Sequence, residues 1–290
     1  MVDIPAITSG LEKGEEGIWY SSTKVDVSYP EGAHSTLMEI EDQSFWFQHR
    51  NKCITRLVSN FPPPGDRTIF DVGGGNGVVA KGLIDSGFDV VLVEPGREGV
   101  QNALKRGVEN IICGTTDNAG ITNESLPAIG VFDVVEHIED DLSFLKHFND
   151  LLQKDGMLYI AVPAYKILWS MADVKAGHYR RYTLRSIRKL VAEAGFSVQY
   201  GTYFFRPLPL VSFPLRAIPY RLGFRSNKSK KENFSDGRRT AKKGVVSKLF
   251  SRLLKPEVSK IHRKKVMRFG GSCLIAARKI TEDELRVQNE

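Results

Sequence analysis

The sequence predicts a doubly wound α/β fold, and three observations carry that expectation. From residue 63 onward, short apolar runs alternate with stretches of helical periodicity, the pattern of a parallel sheet covered on both faces. A glycine cluster, Asp71-Val72-Gly73-Gly74-Gly75-Asn76-Gly77, lies where the first apolar run gives way to a helical stretch. Two late apolar runs, Phe196–Phe204 and Ser272–Ala277, have no obvious helix directly between them and read as an antiparallel addition at one edge. With the five runs before them they make a seven-stranded sheet.

Residues 1–38 are polar, glycine-containing and weakly patterned, which predicts a loop-rich lead-in. A helix is expected over 39–60, where Phe45, Ile54, Leu57 and Val58 fall near helical spacing and Trp46 and Phe47 widen the apolar face. Pro62, Pro63, Pro64 and Gly65 stop it. Thr68–Val72 reads as a buried strand, followed by a helix over Val78–Ser86 and a strand over Asp89–Val93. A helix over Gly99–Arg106 and a strand over Asn110–Cys113 come next. Ile129–Val134 is a fourth strand, and the helix after it sets Leu142, Leu145, Phe148, Leu151 and Leu152 on one face. Gly156 leads into a fifth strand, Met157–Val162. Thr183 is placed to cap a helix built on Leu184, Ile187, Leu190 and Val191 and stopped by Gly195. The chain thus divides into a lead-in with cap helix (1–62), a core (63–204), a basic insertion (205–270) and a final strand with tail (271–290).

The 290 residues are 41% hydrophobic and 26% charged, which suits a globular protein. No apolar run is long enough to span a bilayer, and the opening MVDIPAITSGLEKGEEG lacks the basic start and apolar core of a signal peptide. Cys53, Cys113 and Cys273 are distant in sequence and odd in number, so they read as reduced packing residues of a cytoplasmic protein. The net charge of +7 is unevenly placed: residues 201–270 carry nineteen Lys and Arg against three acids, and the remainder is acidic. An anionic partner for the basic block is the natural expectation.

A strand, glycine loop and helix can cradle either a dinucleotide or S-adenosyl-L-methionine. Counted from Gly73, the sixth position of a dinucleotide fingerprint should be Gly or Ala, and it is Val78. Asp71, just before the glycines, would repel a pyrophosphate but suits a ligand with an ammonium and a sulfonium. Glu94 ends the second strand, where a carboxylate can accept hydrogen bonds from both ribose hydroxyls. Pro95 follows it, and Thr116 and Asp117, after the third strand, are candidates for the adenine side.

On these residues the run from about Glu39 to Arg206 resembles the class I SAM-dependent methyltransferases, particularly the group similar to ubiquinone-biosynthesis O-methyltransferases (a methyltransferase type 11/12-like pattern). The motifs are the 71–77 loop, Glu94, Phe132-Asp133-Val134-Val135-Glu136-His137-Ile138, and Leu152 to Pro163. The resemblance implies a Rossmann-like fold and cofactor binding along Gly73, Gly75, Asn76 and Gly77. It also implies ribose contact at Glu94, the end of the fourth strand near Asp133 facing the methyl group, and S-adenosyl-L-homocysteine as product.

Phe45-Trp46-Phe47-Gln48-His49-Arg50 resembles an aromatic-Arg helix that caps the cofactor cleft in related enzymes; core packing of three aromatics would read the same way. Tyr179, Arg180, Arg181 and Tyr182 follow the fifth strand and could hold a phosphate or carboxylate of the acceptor, or merely flank a capped helix. His137 and His178 are the general-base candidates, although methyl transfer can proceed by positioning alone. No metal-ligand spacing stands out. In the basic block, the Pro-rich stretch 207–220 cannot form one straight helix. Val245, Val246, Leu249, Phe250, Leu253 and Leu254 form a stripe opposite Lys248, Arg252 and Lys255. A basic amphipathic helix of this kind fits a peripheral, anionic membrane surface on the cytoplasmic side; a lid on the domain is the competing reading, and nucleic acid is disfavoured because no aromatics interleave the charges. The expected function is methyl transfer to O, N or C of a small-molecule or lipid- or glycan-linked acceptor. A nicotinamide-dependent oxidoreductase and a non-catalytic membrane adaptor are the alternatives.

Overall fold

The structure, a computed structural model, describes residues 3–23, 38, 40–223 and 245–280, and for 245–249 the backbone alone. Much of the expected lead-in (1–2 and 24–37), Glu39, the middle of the basic block (224–244) and the tail (281–290) therefore lie outside the described residues.

After a short helix α1 (Ile4–Ile7) come two three-residue strands, β1 (Leu11–Lys13) and β2 (Trp19–Ser21). The cap helix α2 covers Phe45–Asn60, and Ser44 opens it by accepting a hydrogen bond from the Trp46 amide. The alternating core follows: β3 (Thr68–Val72), α3 (Val78–Ile84), β4 (Asp89–Val93), α4 (Arg97–Lys105), β5 (Asn110–Cys113) and β6 (Leu126–Phe132). After a one-turn 3₁₀ segment (Val135–His137) come α5 (Asp141–Leu151), β7 (Leu152–Pro163), α6 (Met171–Ala176), α7 (Leu184–Glu193) and β8 (Phe196–Phe204). Thr183 caps α7 as the sequence suggests, its hydroxyl accepting from the Ser186 amide at 3.0 Å. The Pro-rich stretch forms two short helices, α8 (Leu208–Ser212) and α9 (Ile218–Arg221), joined by a π-turn over Phe213–Ala217. Prolines 209, 214 and 219 withhold the amides a regular helix would need, so the winding loosens. Helix α10 (Val245–His262) and strand β9 (Ser272–Lys279) complete the described chain.

The sheet has nine strands in the order β1-β2-β5-β4-β3-β6-β7-β9-β8, two more than expected. The expected seven are all present. The extra pair comes from the supposed loop-rich lead-in, where β2 pairs in parallel with β5 and β1 folds back on β2. Three-residue edge strands are too short to leave a periodic trace, and pairing with β5 fixes them. At the other end β9 lies between β7 and β8 and is antiparallel to both.

Alternation within each strand divides the core in two. Ile69, Val90 and Leu92 join Cys53, Ile54, Leu57 and Val58 of α2 on one face. Phe70, Val72, Val91 and Val93 join Leu145 and Phe148 of α5 and Ile187 and Val191 of α7 on the other. Helix α10 also packs on the α2 face: Leu254 is fully buried, and the Phe250 ring stacks on Phe45 at 5.5 Å. Of the expected stripe, Phe250 and Leu254 are thereby turned onto the domain, as the lid reading has it, while Leu253 is exposed. The side chains of Val245, Val246 and Leu249 lie outside the described residues. Strand order reverses between β3 and β6, so a ligand crevice is expected beyond the carboxyl ends of those two strands.

Candidate active site

The glycine loop leaves β3 at that switch point. Gly77 has φ +74°, and a Cβ there would lie 2.8 Å from the Ala103 Cβ of α4, so turn and helix packing both require glycine. A Cβ on Gly73, at φ +71°, would lie 2.7 Å from Val134 Cγ2. Asn76, buried beside them, donates to Glu41 at 3.2 Å and accepts from Asn102 at 3.0 Å, while Arg106 forms a buried ion pair with Glu41 at 3.0 Å. The N-terminal segment is thereby fastened to the loop.

Asp71 is fully buried, and its Oδ2 has no hydrogen-bond partner. Burial pushes its carboxyl up to about 7, against the Arg50 charge and the Ala80 amide, which pull it down. An orphaned, electron-rich oxygen beside a glycine loop suits a ligand bringing a cation and opposes one bringing a pyrophosphate. Glu94, also buried, accepts from the Gly96 amide at 2.7 Å and from the Gly75 amide at 3.0 Å. It staples the glycine loop to the turn after β4. An ionised carboxylate has about four acceptor positions, so this staple is compatible with ribose contact.

The adenine-side candidates separate. Thr116 is buried and pairs with His147 Nε2 at 3.1 Å, whereas the Asp117 side chain is 78% exposed and only grazes His147, at 3.3 Å. His147 was missed in the sequence because it sits inside the α5 pattern and meets Thr116 only through the fold.

Across the crevice, Asp133 follows β6 with φ +59° and pairs with the Arg50 Nε at 2.6 Å. Arg50 also donates to the Phe132 carbonyl at 2.8 Å, and Trp46 of the same helix stacks on Phe205 at 5.2 Å. Helix α2 therefore roofs the end of β6, as the aromatic-Arg pattern suggests.

Beyond Asp133 lies a cluster that sequence spacing hides. Glu136 is 1% exposed, its Oε2 has no hydrogen-bond partner, and burial together with the Asp133 charge holds its carboxyl well above the usual range. The Tyr179 amide donates to the Glu136 carbonyl at 2.8 Å, drawing the 177–179 turn against the 3₁₀ segment. His178 thus faces His137 edge-on, ring centres 4.7 Å apart, with its Nε2 4.0 Å from Glu136 Oε1. His178 Nδ1 lies 2.9 Å from Asp173 Oδ1, which also accepts from Arg181 Nε at 2.6 Å. Those partners hold the Asp173 carboxyl down at about 2 despite its burial. Asp173 was not singled out in the sequence, where nothing local ties it to His178 or Arg181.

Three of the four residues expected to face the acceptor are used differently from that expectation. Arg181 is held by Asp173 and the Ala164 carbonyl, and Arg180 by Asp141 at 3.0 Å and the Glu139 carbonyl. Tyr182 is buried, its hydroxyl donating to Asp141 at 2.8 Å; Tyr179 alone is exposed. Arg181 braces the Asp173 carboxylate that His178 rests on, while Arg180 and Tyr182 converge on Asp141.

A family model described as a methyltransferase domain matches residues 45–200. The ubiquinone biosynthesis O-methyltransferase of Rickettsia bellii is 24% identical over 131 residues, covering 42% of this chain and 55% of that protein. The chain spans about half the length of the curated relatives it matches. Among solved structures, the fold is similar to a chain of the Haloferax volcanii complex between the Trm112 methyltransferase activator and a methyltransferase (TM-score 0.53, 16% identity, 86% of this chain and 95% of that one). It is also similar to Haemonchus contortus phosphoethanolamine N-methyltransferase 2, solved with S-adenosyl-L-methionine (TM-score 0.51, 17% identity, 80% of this chain and 53% of that one). With just over half its length matched, and with the glycine loop, Glu94 and Asp133 all inside the match, the chain belongs to the methyltransferase domain family.

Proposed function

We propose that this protein transfers the methyl group of S-adenosyl-L-methionine to a nucleophilic oxygen, nitrogen or carbon of a small-molecule or lipid-linked acceptor. Asp71 carries the reading: a buried carboxyl with one orphaned oxygen, at the mouth of a glycine loop, is built for a cationic ligand. The loop Gly73–Gly77 and Asp71 would hold the methionyl end, Glu94 and Pro95 the ribose, and Thr116 the adenine side, with Asp117 at the rim. The bound cofactor supplies an electrophilic methyl on a sulfonium and leaves as S-adenosyl-L-homocysteine. The protein's part is placement: Arg50 of helix α2 fixes Asp133 and the end of β6. His137 and His178 are the basic groups at the acceptor end, with Tyr179 exposed beside them.

Calorimetry tests the cofactor. S-adenosyl-L-methionine should bind and NAD should not. Arrival of a cationic ligand should drive Asp71, poised at about 7, to its carboxylate. About half a proton is then released at pH 7, so the observed heat should vary with the ionisation enthalpy of the buffer. Asp71→Asn should abolish that variation. Binding of NAD in place of S-adenosyl-L-methionine would overturn the assignment.

For the partner, the reading is an anionic membrane surface met through the 205–270 block, near the cytoplasmic face. No described helix is long and apolar enough to cross a bilayer. All large hydrophobic residues exposed among those described fall between Ile167 and Phe269, and Leu210, Leu215 and Leu222 are about 70% exposed along the α8–α9 ridge. Arg216 and Arg221 flank that ridge, and Arg221 donates to the Ile167 carbonyl at 2.8 Å, joining it to the segment after β7 on the acceptor side. Co-sedimentation with anionic vesicles should therefore fall as salt shortens the screening length from about 10 Å at 0.1 M to about 3 Å at 1 M, leaving an apolar residue of binding. Changing Leu210, Leu215 and Leu222 to Ser should remove that residue. Equal sedimentation with neutral vesicles, or none with either, would refute the membrane surface.

A further inference from the structure

We propose that Glu136, His137 and His178 form a binding site for one divalent transition-metal cation at the acceptor end of the crevice, and that the acceptor presents an oxygen to it. The inference deepens the methyl-transfer reading and rests on it for the second half.

The donor set comes first. One ligating atom from each of the three side chains lies within 4.8 Å of the other two. Two imidazoles and a carboxylate are a mixed nitrogen and oxygen set that favours zinc, iron or manganese over calcium or magnesium. Burial supplies a second argument. Glu136 is 1% exposed with Oε2 unpartnered, and a buried carboxylate is costly unless a cation or donors compensate it. Arg50, on the neighbouring helix, pairs with Asp133 and donates to the Phe132 carbonyl.

The third argument is the support behind His178. A metal-bound histidine ordinarily gives its other ring N–H to a carboxylate, which fixes the tautomer and the ring plane. His178 Nδ1 lies on Asp173 at 2.9 Å. Asp173 is itself immobilised by Arg181 Nε at 2.6 Å and by the Ser170 amide at 2.9 Å. In the neutral ring this leaves Nε2 with its lone pair on the side of Glu136 and His137. The backbone bond from Tyr179 to Glu136 then locks the two halves of the site at fixed separation. Arg181 and Asp173 thereby acquire a purpose that a free acceptor-binding arginine would not explain.

Among the described residues the other cluster with suitable atoms, His49, Cys53 and Glu257, does not compete. Its Glu257 oxygens already accept from His49, Phe205 and Arg206, and burial keeps the Cys53 thiol protonated.

A cation at the Glu136 site would act as a Lewis acid on an acceptor hydroxyl. The hydroxyl proton leaves to solvent and the oxygen keeps its electron pair, which forms the new bond to the methyl carbon as the carbon–sulfonium bond breaks, its pair returning to sulfur and S-adenosyl-L-homocysteine leaving. Oxygen is therefore the atom we expect to be methylated.

The test uses the full chain stripped with chelator, then titrated with Zn²⁺ by calorimetry and checked by elemental analysis after dialysis. One Zn²⁺ per chain is expected, with visible bands of a nitrogen- and oxygen-ligated ion when Co²⁺ is substituted. His137→Ala and His178→Ala should each abolish stoichiometric binding, and Cys53→Ala should leave it unchanged. Asp173→Asn, which removes only the support behind His178, should weaken Zn²⁺ about tenfold to a hundredfold. Circular dichroism and S-adenosyl-L-methionine binding verify that each variant is folded. Wild-type protein that retains no Zn²⁺, or His178→Ala that retains it fully, would overturn the site. Cofactor binding without Zn²⁺ binding defeats only this inference, whereas Zn²⁺ binding without cofactor binding defeats the methyl-transfer reading and leaves the metal site standing.

Discussion

Replacing Glu94 with Ala is expected to weaken S-adenosyl-L-methionine by about a hundredfold or more, the largest single loss at the cofactor end. Two effects add. A hydrogen bond to a charged group is worth about 1.5–3 kcal/mol, and the ribose offers two hydroxyls, so about 3 kcal/mol or a hundredfold is the lower expectation. The Gly75 and Gly96 amides also lose their acceptor, which frees the loop that cradles the methionyl end. Glu94→Gln keeps the shape and one acceptor oxygen, so its loss should be nearer tenfold. Titration calorimetry on folded protein measures both. Unchanged affinity in Glu94→Ala would remove the ribose assignment and leave Glu94 as a loop staple.

The largest effect on stability should come from Glu257→Ala. This carboxylate is 2% exposed and accepts from His49 Nε2 at 2.9 Å, from the Phe205 amide at 2.8 Å and from the Arg206 amide at 2.8 Å. One side chain on α10 thus ties α2 to the end of β8. Phe205 stands at φ +60°, a backbone position that a side chain tolerates only when its surroundings enforce it. Truncation leaves buried donors on both elements without an acceptor, and removing one partner of a buried pair costs about 3–5 kcal/mol. Urea unfolding followed by circular dichroism should show a midpoint well below that of wild type. A loss under about 1 kcal/mol would mean that water reaches the donors and that α10 is only loosely seated.

The two halves of this protein were unequally legible. Strands such as Thr68–Val72 and Asp89–Val93 announce themselves because a buried parallel strand must be apolar on both faces, and their bounds agree with the sequence reading. The glycine loop was equally plain, since its residues are consecutive and their conformational demand is local. Leu11–Lys13 and Trp19–Ser21 left no such signal, because a partner strand far along the chain makes them strands. The site failed for the same reason in a different guise. His178 and Glu136 are 42 positions apart, and nothing in either neighbourhood says that the Tyr179 amide will bring them together. Arg180 and Arg181 looked available because a sequence displays charges without their partners. The stripe ending at Leu254 was a real amphipathic pattern, but periodicity reports only that a face will be covered, and here α2 covers part of it.

Strand β9 has a consequence for how the molecule is made. It is the last described strand, yet it occupies an interior lane, with β7 on one side over Met157–Pro163 and β8 on the other over Phe196–Phe204. While the chain is emerging from a ribosome, β7 and β8 are complete long before residues 272–279 exist. During that interval each offers a bare row of amides and carbonyls flanked by apolar side chains, the kind of edge that pairs with the wrong neighbour. Closing the gap requires threading β9 between two finished strands over a sequence separation of more than a hundred residues from β7, a slow step by the usual dependence on contact distance. A nascent chain stalled before residue 272 should therefore be a chaperone client and not a smaller folded unit.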